Sequence, residues 1–430
     1  MVIIFFGIYK AVISNNFAKR KRLTFWQMFG CYSVKRGNVE TVKWFLAIFE
    51  LRARESQKIV YLCSVIYMMK NCRLFLWIIL LLPWCVSAQT GGKYIYNFLN
   101  FNTSSRQAAL GGTLLAVSDD DPSLILYNPS MINATHHTSL QVNAVDYFSN
   151  AAYGSAMYSH TFKKAGSFAF GMQFVNYGKF TETDEFGNEN GYFHAGDYAA
   201  TVAWGRQLDS CFSIGADLKM IYSAYEAYQS FGLAVDVAGS YVNKKKRLAL
   251  SLLVKNIGSP IVNYVPGQFE KIPFDIQLAL SQKFSFLPVR YHISLHHLYR
   301  WNMAYVGPKD PLLEYDAMTN SPVYPTKAAQ FFDNFFRHIT FGLEIIPAKY
   351  LSLYLSYNHN RHQEMAIPQK RTLAGFSYGF TVNIHSIRIG FSRAHYATGA
   401  TPNFFDFSVN IGELSKLSQE NKAKKLTHTN

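Results

Sequence analysis

The stretch Phe212–Tyr222, FSIGADLKMIY, decides the fold. On an extended strand successive side chains point to opposite faces. Phe212, Ile214, Ala216, Leu218, Met220 and Tyr222 therefore share one face, and Ser213, Gly215, Asp217 and Lys219 share the other. A single strand of this kind would suit a soluble core equally well. Here similar stretches recur from about residue 138 to 412, each with an oily face and a small or polar one. Lipid-facing and lumen-facing residues alternate in this way over the roughly 10-residue segments of a transmembrane β-barrel.

The alternation predicts strands at 138–147, 152–162, 166–175, 197–206, 211–222, 230–242, 247–256, 273–284, 289–298, 338–347, 350–357, 373–382, 385–395 and 403–412. They number about fourteen, and an even number is what a single-chain bacterial outer-membrane barrel requires. Phe168, Phe170, Met172 and Phe174 form one oily face, Ile339, Phe341, Leu343 and Ile345 another, and Phe405, Phe407, Val409 and Ile411 a third. Asp236, Lys255, Glu344, Arg388 and Asp406 fall on the opposite parity. A charge facing lipid at the bilayer midplane costs about 2–4 kcal/mol, so these residues are expected to point inward.

The connections sort by the same parity. Links after the even strands are brief, such as Lys163–Ala165 and Ala348–Lys349, whereas 176–196, 257–272, 299–337 and 358–372 are long. Outer-membrane barrels have short periplasmic turns and long outer loops, which places both barrel ends of the chain in the periplasm. Composition agrees, with 16% aromatic and 16% charged residues, where about 25% charged is usual in soluble proteins. Interfacial aromatic girdles account for the surplus Tyr and Phe.

The formal net charge of +15 does not point to nucleic acid, because residues 1–88 hold 13 of the 42 Lys/Arg and only 3 of the 27 Asp/Glu. Within them, residues 69–88 read as a secretory signal peptide: Lys70 and Arg73, the apolar run Leu74–Leu82, and the small-residue exit Val86-Ser87-Ala88. Residues 1–68 then read as an over-extended start outside the mature protein. Of five cysteines only Cys211 follows the expected cleavage point, which excludes an intramolecular disulfide framework. At the other end, 413–430 reads as a polar, disordered periplasmic tail.

Residues 89–137 do not alternate, and they are expected to form a compact, partly helical N-terminal segment tucked into the barrel. Ser104 or Ser105 is placed to cap a short helix ending at Gly111-Gly112. Asp119-Asp120-Asp121-Pro122 and Tyr127-Asn128-Pro129-Ser130 read as turns, and the aspartate run reads as a solvated turn in preference to a cation site.

This segment carries a resemblance. Gly91-Gly92-Lys93-Tyr94, the run Ser105, Arg106, Gln107, Ala108, Ala109, Leu110, Gly111 and Gly112, the Asp-rich turn around Asp120, and Asn128-Pro129-Ser130 are similar to the opening of the PorV/PorQ group. That group comprises outer-membrane components of the bacterial type IX secretion system and is more distantly similar to FadL-type barrels of fourteen strands. The resemblance spans 89–412 and implies a non-enzymatic role with no cofactor. It also implies anchorage in outer-membrane lipid and association with surface-attachment partners of the PorU, PorV and PorZ types. The 68-residue extension departs from it.

Loop 299–337 is the most available binding surface, with Trp301, Tyr305, Tyr315, Tyr324, Phe331, Phe332, Phe335 and Phe336 as candidate partner-binding residues. His359-x-x-His362 with Glu364 has the wrong order for HExxH and is expected in a loop, while His296 and His297 are expected on a strand, facing opposite ways. No P-loop, dinucleotide fingerprint or nucleophile elbow is present. A catalytic site assembled from Asp236, Glu344 and a distant His, and a passive FadL-type transporter of hydrophobic molecules, are the alternatives to a docking role.

Overall fold

The computed structural model describes residues 94–416 and 419, apart from 118, 120, 148–150, 269, 305–313, 316, 317, 320 and 368–371. The expected leader at 69–88, the residues before it and most of the tail lie outside that range.

Fourteen antiparallel strands close on themselves. In chain order they are β1 (Ser139–Asp146), β2 (Ala152–Phe162), β3 (Gly166–Thr183), β4 (Glu189–Gln207), β5 (Phe212–Tyr225), β6 (Tyr228–Asn243), β7 (Leu248–Val262), β8 (Asp275–Lys283) and β9 (Val289–Leu295). A two-stranded ribbon, β10 (Glu314–Tyr315) and β11 (Pro322–Val323), stands apart from the wall. The barrel resumes with β12 (Ile339–Ala348), β13 (Leu351–Asn358), β14 (Phe376–Ile384), β15 (Ile387–Ala394) and β16 (Asn403–Asn410). β9 pairs with β12 across the ribbon, and β1 pairs with β16 from Ser139↔Asn410 to Asp146↔Asn403, so the ladder has no edge.

Side-chain direction follows the sequence period. On β5, Phe212, Ile214, Leu218, Met220 and Tyr222 are exposed, while Asp217, Lys219, Ile221 and Ser223 are buried. On β16, Phe405 and Phe407 are exposed, whereas Phe404, Asp406 and Ser408 are buried. In a water-soluble protein this arrangement would be inside out; an apolar exterior around a polar interior is the arrangement of a transmembrane β-barrel. The inner wall is built largely from small residues, among them Ala169, Ala199, Ala203, Ala238, Ser155, Ser240, Ser251 and Ser281. These leave room for something else inside.

Several expectations need correction. The link expected at 176–196 is a continuation of β3 and β4, joined by a turn of a few residues after Thr183. There both faces of the hairpin are mostly exposed, so the oily/polar contrast that marks a wall strand disappears. β7 likewise runs on to Val262, and the link between β5 and β6 is a two-residue turn. The last strand ends at Asn410, and 411–416 is helical, so the tail does not begin as a disordered segment. Asn410 Oδ1 accepts the Glu413 N–H at 3.1 Å, and Thr138 accepts from Ile411 N and Gly412 N. His359–Glu364 is a short helix, α3 below, because Asn358 caps it by accepting from Arg361 N at 3.0 Å.

The wall orientation is testable at Phe407, which pairs with Val142 on one side and Ile389 on the other, all three exposed. Phe407→Arg is expected to cost about 2–4 kcal/mol in reversible unfolding from lipid. The inward neighbour Ser408→Ala is expected to cost about 1 kcal/mol or less in the same assay.

Candidate functional site

Residues 94–137 occupy the interior. The segment starts at the mouth that carries the long links, where Tyr94 forms a bridge to Lys271 and its hydroxyl lies 3.2 Å from that of Tyr299. It ends at the short-turn mouth, where Ser159 hydroxyl donates to the carbonyl of His136. Between these points it is one helical turn, α1 (Ser105–Ala109), flanked by 3-10 turns at Asn97–Asn100, Pro122–Leu124, Pro129–Met131 and Ala134–His136.

α1 carries Ser104 at its N-cap, but the Ser104 side chain does not make the cap bond. A wall carboxylate does. Asp406 Oδ1 accepts from Ser105 N at 2.7 Å, and Oδ2 accepts from Ser104 Oγ at 2.9 Å and Ser105 Oγ at 2.8 Å. An acceptor at the positive end of a helix satisfies N–H groups that have no partner within the helix. Ala109 and Leu110 pack with Leu114, Val117, Leu124 and Tyr354. Gly111 and Gly112 then turn the chain at φ +87° and +90°. A Cβ on Gly111 would meet Thr340 Cγ2 at 2.3 Å, so both backbone angle and space demand glycine.

Arg106 projects from α1 into a cluster of six charges, and is only 3% exposed. Its Nη2 lies 2.7 Å from Asp119 Oδ2 and 3.0 Å from Glu344 Oε1, and its Nη1 lies 2.8 Å from Asp121 Oδ2. Arg290 on β9 reaches Asp119 at 3.0 Å and Glu344 at 2.9 Å, and Arg388 on β15 reaches Asp121 at 2.8 Å. Three guanidinium groups thus face three carboxylates. Arg106, Asp119 and Asp121 come from the inner segment, and Arg290, Glu344 and Arg388 from the wall. Asp121 is therefore buried and paired, and Asp119 paired and partly covered, where the sequence reads as a solvated turn; buried carboxylates hold their charge only when paired. Burial alone would raise the carboxyl pKa of Asp121, but Arg388 and Arg106 reverse this and hold it at about 2. Asp119, against Arg106 and Arg290, is held well below the ordinary carboxylate range.

Asn128 and Pro129 seat the lower part of the segment. Asn128 Oδ1 accepts from Ser130 N at 3.1 Å and Ser130 Oγ at 2.6 Å, and its Nδ2 donates to Leu115 O at 2.7 Å. The Pro129 backbone lies so close to the wall that a Cβ on Gly215 would stand 2.3 Å from its carbonyl carbon. Asp120 of the same motif lies outside the described residues. The sequence motif is therefore a set of seating contacts between segment and wall.

Sequence reasoning missed a second buried pair. Lys219 Nζ lies 2.5 Å from Asp236 Oδ2 and 3.2 Å from Asn256 Oδ1, and Asp236 Oδ1 accepts from Asn256 N at 2.7 Å. Asn256 sits at φ +55°, where the register of β6 and β7 shifts. A bulge of this kind leaves no trace in alternation beyond one skipped residue. Towards the long-link mouth, Tyr96, Phe98, Tyr153 and Phe404 form an aromatic cluster with Tyr147, Tyr177, Tyr264 and Tyr396 against it. Tyr177 and Tyr225 hydroxyls donate to Asp197 at 2.7 and 2.8 Å.

The histidine pairs differ from expectation. β9 ends at Leu295, and His297 takes φ +57°, which turns both rings to one side and brings their Nδ1 atoms to 2.7 Å. On α3 (His359–Glu364), His359 lies 3.4 Å from Asp333, and His362 Nδ1 lies 2.8 Å from the Ala374 carbonyl. Asp236 and Glu344 are engaged in ion pairs with Lys219, Arg106 and Arg290, and His292 Nε2 lies 3.4 Å from Glu344. Among the described residues no three His, Cys, Asp or Glu are grouped to hold a metal ion.

Of the loop candidates, Trp301 and Tyr324 are exposed, and Phe331 and Phe335 lie on a helix, α2 (Lys327–Arg337). Tyr305, and the side chain of Tyr315 on β10, lie outside the described residues.

No protein-family model and no curated protein sequence matches the chain. Among solved structures it is similar to the Pseudomonas putida toluene transporter TodX, at 10% identity over 71% of this chain and 96% of that one, with a TM-score of 0.43. It is also similar to the Ralstonia pickettii toluene transporter TbuX, at 9% identity over 73% and 98% with a TM-score of 0.40. A Pseudomonas aeruginosa FadL homologue aligns at 9% identity over 71% and 97%, with a TM-score of 0.37. These values do not support carrying a substrate or partner across.

Removing Arg106 tests how the segment is held. Arg106→Met leaves Asp119, Asp121 and Glu344 with one cation fewer, and is expected to lower stability by about 3–5 kcal/mol in denaturant titration. The acid limb follows from the depressed carboxyls. Asp119 and Asp121 contribute stability that is fully present above about pH 4, the unfolded value. It is lost as pH falls towards about 2. Melting of the detergent-solubilised protein is expected to show no loss from this cluster between pH 7 and 5 and a steep loss below about pH 4.

Proposed function

We propose that this chain is a non-enzymatic docking component of the type IX protein secretion system, anchored in the outer membrane by its barrel. The observation that supports this most is the interior. Residues 94–137 run from one mouth to the other and are tied to the wall by a charge-balanced cluster on Arg106 and by the Asp406 cap. A conduit needs a continuous path for its cargo; a wall secured from within serves to hold its outer surface steady. The resemblance of the seating motif to the PorV/PorQ group supports the same reading. It suggests surface-attachment partners of the PorU, PorV and PorZ types; the loop lengths suggest short turns in the periplasm and long links outside.

The docking surface best suited to such a partner is the tall β3–β4 hairpin. It carries Phe186, which is 89% exposed, the stacked rings of Phe180 and Phe193, and Lys179 over the Tyr192 ring at 3.4 Å. Aromatic residues of this kind are enriched where proteins bind one another.

A second reading has its own support. The tyrosine-rich lining at the long-link mouth would suit a FadL-type transporter of hydrophobic small molecules, with the inner segment as its plug. Two assays separate the readings. Cross-linking from Phe186→Cys in outer membranes is expected to capture a surface-attachment protein of the secretion system. Liposomes bearing the intact chain are expected not to accelerate uptake of a hydrophobic fluorescent probe. Probe uptake without capture would replace docking with transport.

A further inference from the structure

The helix α2 is built the wrong way round for a soluble loop. At about 100° per residue, Phe331, Phe332, Phe335 and Phe336 fall within an arc of about 140°, and Gln330, Asp333, Asn334 and Arg337 lie opposite. The polar face is turned to the protein. Asn334 and Arg337 are 7% and 8% exposed, and Asn334 Oδ1 accepts from Met303 N at 2.8 Å and Ala304 N at 3.0 Å. Arg337 Nε donates to Asp333 Oδ2 at 2.7 Å, and Asp333 faces His359 on α3. The phenylalanines point away, and Phe332 is 58% exposed. Trp301 joins them, with its ring 5.2 Å from that of Phe331.

What lies against this face is indicated by its position on the wall. Only His338 separates α2 from β12, whose exposed outward residues start at its third position with Phe341, Leu343 and Ile345. The wall is low here. β9 has seven residues, against ten for β12 beside it and 18 and 19 for β3 and β4. Seven residues at about 3.4 Å each, tilted by about 40°, rise about 18 Å, short of an apolar band of about 25 Å. The aromatic face of α2 continues the lipid-facing surface just where the strands stop.

We infer that α2 lies in the membrane interface on the long-link side, with its phenylalanine face and Trp301 in lipid, completing the apolar belt above β9. The inference rests on the barrel spanning a membrane and is independent of the docking role. Lipid is also the occupant that an inverted helix shares with an inverted barrel: both turn polar groups inward and rings outward.

Tryptophan quenching tests this directly. The intact chain is reconstituted in phosphatidylcholine vesicles, some carrying acyl chains brominated near the headgroup. Quenching is compared between the wild type, Trp301→Phe and Trp204→Phe, so that the differences isolate each ring. Trp204 on β4 is the wall reference. Trp301 is expected to be quenched by the brominated lipid at least half as strongly as Trp204 and to be shielded from aqueous acrylamide. The inference is overturned if Trp204 responds to the brominated lipid while Trp301 responds only to acrylamide. It is equally overturned if Trp301 is shielded from both quenchers by a co-purifying protein. If neither ring senses lipid, the membrane-spanning reading itself falls.

Discussion

Hydrocarbon offers a peptide group nothing to hydrogen-bond with, so a strand wall in lipid has to close. In this chain closure is made at the pairing of β1 with β16, eight residues in unbroken register from Ser139↔Asn410 to Asp146↔Asn403. Once the ladder is a cylinder, its period of two sorts every side chain into lipid or lumen. Fourteen strands enclose more space than their own side chains fill. The small inward residues and the inner segment are two halves of one solution to that excess volume.

Small residues alone would leave a wet pore, and an apolar filling would leave the wall pair Arg290–Glu344 beside an Arg388 with no carboxylate, one buried positive charge unbalanced. The inner segment resolves both. It brings one cation and two anions to two cations and one anion, so the cluster is neutral only when wall and segment are together. Asp406 adds direction to that balance, because it receives the start of α1 and sets which way Arg106 points. Glycines do the fitting: Gly111 and Gly112 turn the segment under Thr340 and Asn102, and Gly205 and Gly215 let Pro129 lie against the wall.

Much of this was legible in the residues. The strand count and the inward parity of Asp236, Glu344 and Asp406 follow from alternation, because lipid imposes that contrast at every wall position. Where the contrast ends, legibility ends as well. The upper halves of β3 and β4 have water on both sides, and residues 176–196 consequently read as a loop. The aspartate run read as a turn in water because two of its three cationic partners lie far along the chain, on β9 and β15. The aromatic content of 299–337 was visible, but not the helix that arranges it, because the polar face of α2 is fixed by Met303, Ala304 and His359. The Asn256 bulge and the left-handed His297 are single-residue backbone choices, and nothing periodic announces them.

The direction in which the inner segment runs has a consequence for biogenesis. Tyr94 is fixed at one opening of the cylinder and β1 starts from the other, so the segment crosses the whole interior before the first strand begins. A finished cylinder would have to admit Arg106, Asp119 and Asp121 past its own buried charges to be filled later. The order of assembly is thereby constrained: the filling is laid down while the sheet is still open, and the seam between first and last strands zips around it.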